Sequence, residues 1–238
     1  MVDLSEIAYE NVNREFSFEE AKEILEGNND ILKSALLLNL NEIDKELAEL
    51  LIFNLTNQSG PVRELCAYRI GELTENNKIY FQNKKTLDTI LLALNDVNPN
   101  VVRFLLPSLK FFDNKKYLFD GLTEKIEVLY SEVSNKLRRG KEQEHIFTKK
   151  CFKIYWSLES IKYLILFEPE IIYYNQMIRE DFKELLKNLC SLEEYTVREK
   201  VAQIVNLLPE SEINDIKLIL DKDENYFVKR VKNEDIGC

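Results

Sequence analysis

Seven basic side chains, Lys136, Arg138, Arg139, Lys141, Lys149, Lys150 and Lys153, fall between positions 136 and 153 beside only two acids, Glu142 and Glu144. Lys149, Lys150 and Lys153 share one helical face, a spacing that could hold an acidic partner or a phosphate. Tyr155 and Trp156 follow and could stack on a base. A solvated face competes with that reading, and Trp156, in an apolar stretch with Phe152, Leu158 and Tyr163, reads first as core or as a contact between repeats. Other chemistry-bearing residues are sparse. His145 is the one histidine, and Cys66, Cys151, Cys190 and Cys238 are not at ligand spacing, so no zinc site is expected. Asp221-x-Asp223-x-Asn225 imitates the start of a calcium loop. Tyr226 and Lys232 stand where that loop needs its glycine and last glutamate, so it reads as a polar turn and helix cap. There is no phosphate-cradling glycine loop, nucleophile elbow or His-Glu-x-x-His. No catalytic, cofactor or metal residue is expected.

The elements that must position these residues follow from composition and periodicity. The 238 residues are 45% hydrophobic, enough for a sizeable core, and carry a net charge of -10. That balance argues against a general nucleic-acid binder, which works by neutralising phosphates. The charge is uneven: residues 1–60 hold 13 acids and 4 bases. The start lacks the basic and apolar regions of a signal peptide, and no uncharged run could span a bilayer. The cysteines are widely separated. Cys66, Cys151 and Cys190 lie inside apolar helical patterns as buried thiols, which points to a reducing, cytoplasmic setting with no membrane association. Cys238 does not match a prenylation signal, which needs three residues after it.

Only 6 Gly and 5 Pro favour helices over a sandwich or barrel. Ser17-Phe-Glu-Glu20 is a capping box, and Gly27-Asn-Asn-Asp30 ends one helix and starts another. Apolar residues then recur at spacings of three and four: Ile43, Leu47, Leu50, Leu51 and Leu55; Val62, Leu65, Cys66, Ile70 and Leu73; Leu87, Ile90, Leu91 and Leu94. Longer helices are expected at about 117–136 and 141–167, and Tyr173-Tyr174 reads as a helix start. Polar breaks are short, so consecutive helices should pair as antiparallel hairpins.

The hairpins repeat. Gly60-Pro-Val-Arg-Glu-Leu-Cys-Ala-Tyr-Arg-Ile-Gly-Glu-Leu73 matches Pro99-Asn-Val-Val-Arg-Phe-Leu-Leu-Pro-Ser-Leu109, and Tyr195-Thr-Val-Arg-Glu-Lys-Val-Ala-Gln-Ile-Val-Asn-Leu-Leu208 is a third copy. Arg63, Arg103 and Arg198 share one slot, with Lys33, Lys150 and Lys229 in weaker copies. The pattern resembles the HEAT-repeat family, related to armadillo repeats. Pro61, Arg63, Asp96, Pro99, Arg103 and Arg198 carry that resemblance. It implies a right-handed α-solenoid of about five to six antiparallel hairpins, a single domain over residues 1–238 with irregular longer helices at about 113–170. It also implies a structural ladder of Asp and Arg between neighbouring repeats, and second helices that line a concave side.

The expected function is that of a non-enzymatic scaffold or adaptor that binds a protein partner along that concave face. The candidates for partner contact are Arg69, Lys110, Arg138, Arg139, Lys149, Lys150 and Lys153, with the 136–153 patch suited to an acidic surface. The rivals on the same resemblance are a DNA glycosylase acting on alkylated bases and a bilin-lyase-type protein.

Overall fold

A computed structural model describes residues 15–134 and 141–231, apart from the side chains of 141–143. Among them are twelve α-helices and one two-stranded hairpin, so the chain is all-α as its periodicity predicts. It forms two compact units that divide between Asn114 and Lys115.

The first unit holds α1 (Phe18–Glu26), α2 (Asp30–Asn39), α3 (Lys45–Asn54), α4 (Gly60–Asn77), α5 (Lys84–Ala93) and α6 (Pro99–Leu105). Short 3-10 turns cover Lys78–Phe81 and Leu106–Phe111. Local chemistry sets the starts. The Ser17–Glu20 capping box opens α1, while Asn29, Asp44, Asn83 and Asn98 accept backbone N–H groups at α2, α3, α5 and α6. Pro61 and Pro99 lie in the first turns of α4 and α6, where a missing N–H costs nothing. The helices pack alternately: α1 on α3 and α3 on α5 in one layer, α2 on α4 and α4 on α6 in the other. Leu25, Leu36, Leu47, Leu51, Cys66, Ile70, Ile90 and Val102 fill the space between the layers. At Gly71 the α4 backbone meets the Phe104 carbonyl so closely that a Cβ would collide with it, so this crossing requires glycine.

The second unit repeats the scheme with α7 (Lys115–Ser134), α8 (Lys141–Phe167), α9 (Glu180–Leu189), α10 (Tyr195–Val205), α11 (Glu210–Asp221) and α12 (Tyr226–Arg230). Here α7 packs on α9 and α9 on α11, and α8 packs on α10 and α10 on α12. The expected long helices are α7 and α8. Tyr173-Tyr174 do not start a helix. They pair with Met177-Ile178 as a tight antiparallel hairpin around Asn175 and Gln176, both at positive φ, and Ile172 and Ile178 anchor it in the core. Among the described residues no helix is long and apolar enough to cross a membrane.

Candidate functional site

Two side-chain clamps of the same design hold successive hairpins together, one in each unit. In the first, Arg63 of α4 donates from Nε and Nη2 to the Asp96 carboxylate at 2.6 and 3.1 Å, and from Nη1 to the Asn57 and Gln58 carbonyls at 2.8 and 3.1 Å. Asp96 in turn accepts the Asn98 N–H at 2.7 Å, and Asn98 caps α6. In the second, Arg198 of α10 donates to both oxygens of Asp223 at 2.6 and 3.2 Å and to the Leu192 and Glu193 carbonyls at 2.5 and 2.8 Å. Asp223 accepts the Asn225 N–H at 2.8 Å, and Asn225 caps α12. Burial works to raise the Asp223 carboxyl, but the Arg198 pair and the Asn225 N–H outweigh it and hold it below the ordinary range. The Asp96 bond holds the Arg63 guanidinium above its ordinary value against the opposing effect of burial. Asp223 is thus spoken for as a rung, the counterpart of Asp96. Asp-x-Asn before a second helix, present at 96–98 and again at 223–225, was the signal for it.

The other residues of the slot diverge. Arg103 does not share the slot the sequence assigns it: it stands five residues after its cap Asn98, where Arg63 and Arg198 stand four after Ser59 and Glu194. Buried Val102 takes the equivalent position, and Arg103 is exposed with no ion pair among the described residues. Lys33 is buried and donates to Asn54 Oδ1 at 2.8 Å, while the Asn54 amide bonds the Leu25 and Leu50 carbonyls and so joins α1, α2 and α3.

The expected surface cations separate in the same way. Arg69 is not one of them: it is 7% exposed and donates from Nε and Nη2 to the Leu37 and Leu38 carbonyls, the unsatisfied C-terminal end of α2. A guanidinium used as an interhelical cap is withdrawn from any partner. Lys110 is exposed, its ammonium 4.6 Å from the Phe111 ring centre. Arg138 and Arg139 lie outside the described residues. Lys150 turns back within its hairpin to Glu132 of α7, at 3.0 Å.

What remains is a stripe on α8. Lys149, Phe152, Lys153 and Trp156 follow one another at i, i+3, i+4 and i+7, so they line one face of the helix. Lys149 and Phe152 are exposed, and Lys153 and Trp156 half-buried. Neither lysine has an ion-pair partner among the described residues. Phe152 and Tyr155 both present edge-on geometry to Trp156, with centroids 6.2 and 5.3 Å away. One turn on, Glu159 is bound by Lys200 of α10, which is 4% exposed, and by Lys162 at 2.9 Å. Burial alone would raise the Glu159 carboxyl, but the two ammonium groups hold it below the ordinary range. Lys200 also lies 4.8 Å from the Tyr155 ring centre and donates to Gln203 Oε1 at 2.7 Å. This ionic knot fixes α8 against α10 and gives the aromatic stripe a rigid base.

A further ion-pair centre went unnoticed in the sequence. Arg179, just before α9, pairs with Asp120 of α7 and with Asp181 at 2.7 Å, its guanidinium 5.5 Å from the Phe119 ring centre. No family model matches the sequence, and no curated protein matches it.

Proposed function

We propose that the chain is a HEAT-like α-solenoid of six hairpins, three in each unit, and that it serves as a cytoplasmic, non-enzymatic scaffold for a protein partner. The observation that carries this is the pair of Arg–Asp clamps, each joining one second helix to the turn of the next hairpin in the alternate packing of a hairpin stack. A hairpin that cannot bury its apolar face alone is stabilised by its neighbour, and the stack leaves long, rigid surfaces for binding. The α8 stripe supplies such a surface. Phe152 and Trp156 offer aromatic anchors of the kind that dominate interfaces, and Lys149 and Lys153 add two uncompensated charges that select an acidic partner.

The test is capture of bound material from the source-cell lysate by the wild-type protein and by a Lys149→Glu/Lys153→Glu variant, each with and without nuclease. A protein retained through nuclease treatment by the wild type, and lost by the variant, is the expected result. Recovery of nucleic acid, with every bound protein released on digestion, would overturn the scaffold reading in favour of DNA-directed activity.

A further inference from the structure

The first unit carries a cleft that the second-helix surface does not account for. It lies between α3, α5 and the turn Lys78–Phe81, encloses about 670 Å³, and is lined by Phe53, Ile79, Tyr80, Lys45, Lys85 and Glu49 among others. That volume falls in the range of sites that enclose a ligand group or a few side chains. Its apolar walls are unusually open to water: Ile79 is 79% and Phe53 66% exposed. Two large apolar side chains so exposed and facing one cleft mark a binding surface better than either would singly.

The charge at its rim says what fits. Lys85 has no ion pair among the described residues, and neither do Lys84 and Lys78 beside it. Lys45 reaches Glu49 only at 3.9 Å, across one turn of exposed helix, where the attraction is weak. The charged side chains that line the cleft are Lys45, Lys85 and Glu49, so its rim carries a net positive charge in a region whose residues 1–60 hold 13 acids against 4 bases. Thr56, Thr89 and Asn83 also line it; the two hydroxyl protons go to the Phe53 and Lys85 carbonyls, and Asn83 Oδ1 caps α5. That leaves the hydroxyl oxygens to accept a peptide N–H and the Asn83 amide to donate to a peptide carbonyl.

We propose that this cleft docks an acidic peptide segment of a partner protein. One aromatic or branched aliphatic side chain would sit between Phe53 and Ile79, with flanking carboxylates on Lys45 and Lys85. The inference is independent of the α8 stripe, since it uses the other helix layer of the other unit.

A displayed library of random 16-residue peptides, panned on the purified full chain, tests it. The probes are then the enriched peptides, synthesised with a fluorescent label and titrated by anisotropy. The expected result is enrichment of sequences with Asp or Glu flanking Phe, Trp, Leu or Ile. Their affinity should fall about tenfold or more in Phe53→Ser/Ile79→Ser, and similarly in Lys45→Glu/Lys85→Glu. All four positions are on the surface, so circular dichroism should show both variants folded; Lys187→Glu, at an exposed lysine of the second unit, should leave peptide binding unchanged. No enrichment, enrichment of basic or neutral sequences, or peptides indifferent to both cleft variants would overturn the proposal. So would a sedimenting dimer that Phe53→Ser/Ile79→Ser dissociates, which would assign the cleft to a second copy of the chain.

Discussion

Deleting one partner of the Arg198–Asp223 clamp should destabilise the second unit far more than an ordinary surface ion pair would. The Arg198 side chain is 15% and that of Asp223 8% exposed. Asp223→Asn leaves the guanidinium its two carbonyl acceptors but removes its counter-charge. Breaking a buried pair in this way costs about 3–5 kcal/mol. The carbonyl bonds that survive and the small residual exposure place this case at the lower end, about 3 kcal/mol. Arg198→Met should cost a similar amount, and the double variant little more than either. The double-mutant cycle should therefore return a coupling of about 2 kcal/mol or above. Arg198→Lys should recover little, because an ammonium cannot fork across both carboxylate oxygens while also reaching two carbonyls.

The assay is urea unfolding followed by the fluorescence of Trp156, the one tryptophan, which lies in this unit. At a typical urea dependence of about 2 kcal/mol per molar, a 3 kcal/mol loss moves the midpoint down by about 1.5 M. The control is Lys187–Asp215, a pair at 3.2 Å in the same unit with side chains 46% and 62% exposed, whose coupling should stay below about 1 kcal/mol. A clamp coupling no larger than that of the control would refute the structural role given to the slot.

Gly71→Ala should destabilise the first unit by about 1–3 kcal/mol, because a methyl group cannot be fitted against the Phe104 carbonyl. Gly60→Ala, with open space around its Cβ, should stay within about 0.5 kcal/mol; equal melting temperatures for the two variants would remove the close-crossing argument. Cys66, Cys151 and Cys190 are buried, so a thiol reagent should modify at most one of the four cysteines in native buffer and all four in denaturant. Burial pushes the Cys190 thiol up from 9.0 to about 12, so the unfolded thiol ionises first and stability should fall as pH rises through that interval. The carboxyls of Asp44, Glu159, Asp181 and Asp223 are held below their ordinary values. Their contribution is complete above the unfolded carboxylate range of about 4 and is lost as pH falls through the folded values. Urea midpoints that stay level from pH 6 to pH 3 would contradict those pairings.

The hairpin order was legible because each helix carries its own period and each break its own punctuation. Asn29, Asn83, Asn98 and Asn225 cap helices a few residues on, and such short-range relations survive in a single sequence. The hairpin at 173–178 was not legible. Two-residue strands are too short to show a period of two, and Asn175-Gln176 lacks the glycine that marks a tight turn. The burial of Arg69 was hidden for another reason. Its charge suggests surface, yet it follows Cys66 by three residues on the buried side of α4, and its guanidinium is satisfied by the end of a helix some thirty residues earlier.

The repeat slot shows why residue type alone overcounts contacts. Arg63 and Arg198 stand four residues after the caps Ser59 and Glu194, whereas Arg103 stands five after Asn98. Buried Val102 therefore holds the equivalent position on α6, and only the two Args in register form rungs in the described structure. The acid lies 33 residues after Arg63 but 25 after Arg198, a difference set by the length of the intervening hairpin. A fixed offset from the Arg therefore misses one of the two, whereas the Asp-x-Asn turn finds both, since the carboxylate must accept the N–H two residues on to be held in place. Lys33 marks the limit of the rule: its forward partner is Asn54 on a helix, so the same slot joins hairpins there through a neutral amide. The unit of recognition is the position four residues after the cap together with its forward acceptor, and an Arg one residue beyond that position, as Arg103 is, stays exposed.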